Sequence, residues 1–216
     1  MHDKMRTEMT SIYSAVVDMG NFASIMLVES LDALCKIDRL TADVVVQKTP
    51  SLTIIYHNLE DEMFRFIALY QPIAKDMRKM VCSIRIIYNF ECIGRMGNDI
   101  AKIVINLPVD NPEYPLCNIP DMGKTVIEMI ADSIAAYQKE QIDLIFEINR
   151  RDDTVDALYA VFMKETIRWM TQNPVMIPVG ETYLVIARLL ERCGDQACNI
   201  AEMVRYMISG ERLVIT

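Results

Sequence analysis

A chain of 216 residues with 52% hydrophobic side chains can bury a substantial core, which excludes disorder as its main state. The formal net charge of −8 comes with no basic stripe, and this argues against a nucleic-acid partner, whose phosphates are met by clustered Lys and Arg. Only 7 Gly and 8 Pro stand beside 16 Met, so long helices are favoured over short strands and the expected class is all-α.

Met1 to Ser11 is polar and charged and lacks the apolar core of a signal peptide. No run is read as reaching the roughly 18 to 20 apolar residues that span a bilayer, so a cytoplasmic or at most peripheral protein is expected. Apolar spacing then predicts a first helix from about Arg6 to Leu40 and a second from near Ala42 to Tyr70, with Pro50 bending or delaying its early turns. Gln71-Pro72 breaks the pattern, and a third helix follows from about Ala74 to Asn106.

The next stretch carries Pro108, Pro112, Pro115 and Pro120 and reads as a linker. Asp121 can cap a fourth helix reaching about Asn149. Asp152 opens a fifth that stops at Asn173-Pro174, and a sixth starts between Pro178 and Glu181 and ends near Ser209 at Gly210. The expected architecture is two tandem antiparallel three-helix bundles, residues 1–107 and 121–216, joined by the Pro-rich segment 108–120. An offset of 100 residues places Ile86, Glu91, Gly94, Ile100 and Ala101 on Ile186, Glu191, Gly194, Ile200 and Ala201. With a Pro break before the last helix of each half, that match points to an internal duplication.

Several familiar chemistries find no footing. Cys35, Cys82, Cys92, Cys117, Cys193 and Cys198 form no C-x-x-C pair and read as small buried side chains. Gly123-Lys124-Thr125 lacks the leading glycine and the strand of a P-loop. His2 and His57 are the only histidines, too few for Ser-His-Asp catalysis or a Glu-x-x-His di-iron centre, so no catalytic residue is assigned.

The sixth helix carries a more specific pattern. At 100° per residue, Glu191, Asp195, Asn199 and Glu202 fall on one stripe, away from the apolar seam of Ile186, Leu190, Cys193, Ala197, Ile200, Val204 and Ile208. Such a run is commonly a solvated face. Here, however, two carboxylates stand at i, i+4 with no cation interleaved, and Asp152 and Asp156 repeat that spacing on the fifth helix. Two such pairs on neighbouring antiparallel helices make an oxygen-rich patch suited to hard or borderline cations.

The segments ARLLERCGDQACNIAEMVRYMISGE (187–211), DDTVDALY (152–159) and QPIAKDMR (71–78) resemble the PhoU family, and the likeness extends over nearly the whole chain. The resemblance implies a fold of two three-helix bundles bearing paired acidic motifs that hold multinuclear iron, zinc or other metal clusters. By position it implies Asp152, Asp156, Glu191 and Asp195 as metal ligands of the second bundle, with Asn199 and Glu202 as further candidates on the stripe. Mg, Mn and Ca also suit such oxygen donors. It further implies a non-enzymatic cytoplasmic regulator of phosphate transport, homodimeric, that contacts the ATPase subunit of a phosphate transporter and a phosphate-sensing histidine kinase. Three rivals share the fold or the patch: an accessory protein of another transporter or channel, a metal-dependent phosphate-ester enzyme, and a purely structural module.

The first half departs from that pattern. Its stripe reads Glu91, Arg95, Asp99 and Lys102, alternating in sign, and the positions matched to Asp152 and Asp156 are Thr53 and His57. A guanidinium between Glu91 and Asp99 removes the excess charge that would recruit a cation. One metal site is expected, with Arg95 standing in for the metal in the degenerate first repeat.

Overall fold

The structure, a computed structural model, describes residues 2–107 and 119–211. Its elements are α1 (His2–Lys36), α2 (Arg39–Tyr70), α3 (Ala74–Ile105), α4 (Ile119–Lys139), α5 (Asp143–Gln172), a 3₁₀ turn at Pro174–Met176, and α6 (Ile177–Ser209). There is no strand among the described residues, as the composition predicted. The prolines at 108, 112 and 115 and Cys117 lie outside the described residues.

Local chemistry sets the breaks. Ile37 takes a left-handed φ of 49°, and the Asp38 carboxylate accepts hydrogen bonds from the backbone N–H groups of Leu40 at 3.0 Å and Thr41 at 3.1 Å. This cap ends α1 at Lys36, four residues before the expected Leu40, and opens α2. Pro50 sits inside α2 without ending it. Gln71, with φ 46°, closes α2 just before Pro72. Gly210, with φ 78°, closes α6 as predicted, its N–H donating to the Tyr206 carbonyl at 2.9 Å.

The fourth helix is shorter than its apolar periodicity suggested. It stops at Lys139 instead of continuing to Asn149, and α5 begins at Asp143. No Gly or Pro marks this corner. Glu140 adopts φ 50° there, a conformation costing a non-glycine residue roughly 1–2 kcal/mol. Its carboxylate is held by Lys79, which is only 8% exposed, and by Lys75 at 3.7 Å, both on α3. The corner is thus set by a tertiary ion pair that local sequence does not announce.

Helices α1, α2 and α3 pack on one another, as do α4, α5 and α6, and the halves meet along α3–α6 and α1–α4. Helices α1, α3, α6 and α4 therefore close a ring of four, with α2 and α5 outside it. The core is continuous through both halves, running from Val16, Leu27 and Phe90 to Ile130, Leu190 and Val204. Two close approaches express the duplication. A Cβ on Gly20 would fall 3.1 Å from Ile134 Cγ1, and one on Gly123 would fall 2.8 Å from Leu31 Cδ1. Both glycine and partner are displaced by the same 103 residues, as a pseudo-twofold between repeats requires. The ends are tied as well: Arg78 on α3 donates from Nε to the Met207 carbonyl of α6 at 3.2 Å and lies over the Tyr206 ring.

Two expectations need correction. Helix α1 does contain an 18-residue window long and apolar enough, by composition, to cross a membrane. In the structure 44% of that window is buried; Val16, Met19, Ala23, Met26 and Leu27 enter the core, while the exposed side carries Ser14, Asp18 and Asn21. The thiols are also less uniform than foreseen: Cys82 and Cys193 are buried, Cys92 and Cys198 half-buried, and Cys35 exposed.

Candidate functional site

Helices α5 and α6 lie side by side because Gly194 leaves room between them. A Cβ at position 194 would sit 3.4 Å from Asp152 Oδ1 and 3.8 Å from Val155 Cγ1. Asp152 is therefore half-buried on the surface of α6, within hydrogen-bond reach of the Cys198 thiol. Asp156, one turn further along α5, and Asp195 on α6 are exposed. The Glu191 side chain is 14% exposed; its Oε1 accepts a bond from Arg188 Nη1 at 2.5 Å, and its Oε2 is buried with no partner.

These four carboxylates feel one another. Burial raises the Asp152 pKa above the ordinary carboxylate value, and the charges of Asp156, Asp195 and Asp153 raise it further against the Cys198 hydrogen bond. Glu191 is raised first by burial and then by Asp195, with Arg188 opposing and Asp156 and Asp152 adding. Asp195 is raised by burial and by Asp156, against Arg188 and Arg192. The structure thus brings Asp152, Asp156, Glu191 and Asp195 into one field. Among the described residues, though, no group of three or more His, Cys, Asp or Glu side chains converges into a preformed metal cage.

Asn199 and Glu202 continue the stripe toward α3. They form one wall of a groove of about 590 Å³ whose other wall carries Tyr56, Arg85, Tyr88 and Asn89. Burial pushes the Cys198 thiol up, and the charges of Asp152, Asp195 and Glu202 add to that shift. Glu202 therefore belongs electrostatically to the same patch. A second groove, of about 660 Å³, lies at the α1–α4 seam across the ring, lined by Ser14, Asp18 and Asn21 on one side and Ala131, Ala135 and Gln138 on the other.

In the first half the register differs by one residue from the sequence match. Gly94 is covered by Leu52, whose Cδ2 would be 2.5 Å from a Cβ at position 94, as Gly194 is covered by Asp152. The same 100-residue offset relates both pairs, so Leu52 and Tyr56 occupy the places of Asp152 and Asp156. Thr53 and His57 are one position beyond; His57 is exposed, with its ring 5.1 Å from that of Tyr56. The Tyr56 hydroxyl donates to Glu60 Oε1 at 3.0 Å, and burial, that bond and the nearby Glu60 and Glu91 charges push it up to about 12.

Arg95 pairs with Glu91 as its spacing indicated, while Asp99 accepts instead from Asn98 Nδ2 at 3.1 Å. The Arg95 Nε and Nη2 both donate to Glu91 Oε1, at 3.0 and 2.7 Å. Asp99 is exposed and adds to the field that holds the guanidinium charged. An apolar side chain, a phenol and a fixed cation thus stand where the second half has three carboxylates. Sequence reasoning missed Leu52, Tyr56 and Arg188. The i, i+3 spacing of Arg188 to Glu191 was a visible signal, whereas the Leu52 register depends on how α2 meets Gly94.

The PhoU domain family matches residues 16–104 and 119–204, one copy in each half. The phosphate-specific transport system accessory protein PhoU homolog of Clostridium acetobutylicum is 29% identical over 208 residues, covering 96% of this chain and 95% of its own. The protein of the same description from Caulobacter vibrioides is 31% identical over 207 residues, covering 95% of this chain and 90% of its own. Among solved structures, PhoU from Pseudomonas aeruginosa superposes with a TM-score of 0.91 at 26% identity, covering 95% of this chain and 99% of its own. The phosphate transport system regulatory protein PhoU from Streptococcus pneumoniae gives the same score and identity, covering 98% of this chain and 100% of its own. With six α-helices in two repeats among the described residues, and with both family matches falling on those repeats, the chain belongs to the PhoU family.

Proposed function

We propose that this protein is an accessory regulator of phosphate transport that works by protein contact and carries a metal ion on the α5–α6 face. The observation behind the first part is the full-length likeness to proteins described as phosphate-specific transport system accessory proteins. An adaptor needs no reacting group, and its clients by family resemblance are the transporter ATPase subunit and a sensor histidine kinase. Affinity purification of the tagged protein from cells starved of phosphate tests this reading. Recovery of the phosphate transporter ATPase supports it; recovery of an unrelated channel or transporter in its place sinks it.

The metal part rests on the donor set. Asp152, Asp156, Glu191 and Asp195 would hold the ion, and the buried, unpartnered Glu191 Oε2 is an oxygen that fits such a ligand. The ion would supply positive charge to a patch in which burial and neighbouring carboxylates raise the pKa values of Asp152, Glu191 and Asp195. Iron or zinc follows from family resemblance, while oxygen donors also accept Mg, Mn and Ca. Metal analysis of the purified protein beside the double variant Asp152→Ala, Glu191→Ala decides it, since equal metal content in both refutes the assignment.

A further inference from the structure

The groove of about 660 Å³ at the α1–α4 seam is a trough with the dimensions of a helix. It follows α1 from Thr10 to Ser24, about 21 Å at 1.5 Å per residue. Its other wall is α4, which runs antiparallel, since Gly20 meets Ile134 and Gly123 meets Leu31. Ser14 and Asn21 line one side and Ala131 and Ala135 the other, short side chains that leave the space between the helices unfilled. About four turns of a third helix can lie between two such walls, a greater length than a small molecule spans.

The trough is chemically unlike a solvated helix face. Between Glu8 and Glu29 the only charged residue of α1 is Asp18, in a chain that is 24% charged. Ser14, Asp18, Asn21 and Ile25 fall on one stripe, and Ile25 is 49% exposed. The Tyr13 hydroxyl, also in the lining, has no hydrogen-bond partner. Asp18 is exposed and has no cation in range among the described residues. Covering the trough therefore costs little desolvation except at Asp18, which under a cover without counter-charge becomes an unpaired buried carboxylate. The occupant must bring a cation to that point. A second copy of this chain, with its formal net charge of −8, is the poorer match.

We propose that the α1–α4 trough docks a single amphipathic helix of a partner protein, which lays an apolar stripe between the two walls and sets a Lys or Arg on Asp18. The inference rests on the adaptor reading above and deepens it by naming the face that makes the contact.

The probes are two designed helical peptides of about four turns, each with a leucine stripe, one flanked by Lys and the other by Glu. Fluorescence anisotropy with the full chain reads their affinities. The Lys peptide binds the unaltered protein about tenfold more tightly than the Glu peptide, and Asp18→Lys inverts that preference. Ala131→Arg, at an exposed position, obstructs the trough and weakens the Lys peptide about tenfold or more, with an unchanged circular dichroism spectrum. A preference for Lys that survives Asp18→Lys, as attraction to the acid stripe of α5 and α6 would give, overturns the proposal. So does binding indifferent to Ala131→Arg, binding of neither peptide, or a dimer of this chain that Ala131→Arg dissociates. Affinity purification separates the two readings. If Ala131→Arg recovers the transporter ATPase as well as the unaltered protein does, the trough is overturned as that contact and the adaptor reading stands. If the unaltered protein recovers none while the peptides behave as expected, the adaptor reading alone falls.

Discussion

The carboxylate of Asp152 lies over Gly194, with Oδ1 only 3.4 Å from where a Cβ would stand, whereas the equivalent Gly94 is covered by Leu52 at 2.5 Å. One register therefore places a charged group in the second half and an apolar one in the first.

The two glycines should respond differently to alanine. Gly94→Ala drives a methyl into Leu52, and overpacking of this kind costs about 1–3 kcal/mol. Gly194→Ala meets Asp152 near ordinary contact, and the gain in helix propensity of up to ~1 kcal/mol offsets it. Urea denaturation of both variants checks this, the expectation being a clear loss for position 94 and a change near zero for position 194.

Stability of the metal-free protein should fall as pH rises. Asp152, Glu191 and Asp195 have folded pKa values raised above their ordinary 3.8, 4.5 and 3.8. The folded state thus holds protons more tightly than the unfolded one, and the stability they contribute is complete below those values and lost as pH climbs through the raised ones. Thermal melts of chelator-treated protein from mildly acidic to neutral pH should show a declining Tm. The double variant Asp152→Asn, Glu191→Gln should flatten the decline, and an unchanged slope would count against the patch as its source.

The Glu91 side chain is 9% exposed and depends on Arg95, which is 54% exposed. Arg95→Ala leaves that carboxylate without its cation, at a cost of about 1–3 kcal/mol by analogy with other orphaned buried acceptors. Arg95→Asp restores a carboxylate yet should recruit no metal to the first half, because Leu52 and Tyr56 still hold the neighbouring places. Metal analysis of Arg95→Asp reads this directly, and any gain in bound metal over the unaltered protein contradicts it.

Glu140→Ala should destabilise more than Lys75→Ala. It strands the largely buried Lys79 ammonium, whereas Lys75 is 60% exposed and readily solvated. A loss of roughly 2–3 kcal/mol is expected for Glu140→Ala and well under 1 kcal/mol for Lys75→Ala, measured by chemical denaturation.

Much of this was legible in the chain. The all-α class, the order of the six helices, the break at Gln71-Pro72, the stop at Gly210 and the pairing of Arg95 with Glu91 all follow from local spacing or from residues with a single conformational meaning. What was not legible depends on contacts made across the fold. The corner at Glu140 exists because Lys79 holds it from α3, and the first-half counterpart of Asp152 is Leu52, not Thr53, because Gly94 fixes how α2 seats. Periodicity assigns a face to a helix; it does not say which residue of a neighbour meets it.

Each half contributes one glycine and one large aliphatic residue to the α1–α4 seam, Gly20 and Leu31 from the first, Gly123 and Ile134 from the second. A patch that offers both the notch and the peg is self-complementary, which is the condition for an isologous dimer. A single three-helix unit bearing that patch carries what it needs to pair with its own copy. By the same reasoning, the covalent bond between the halves is dispensable for assembly: two separately translated halves, divided after Leu107, should find each other.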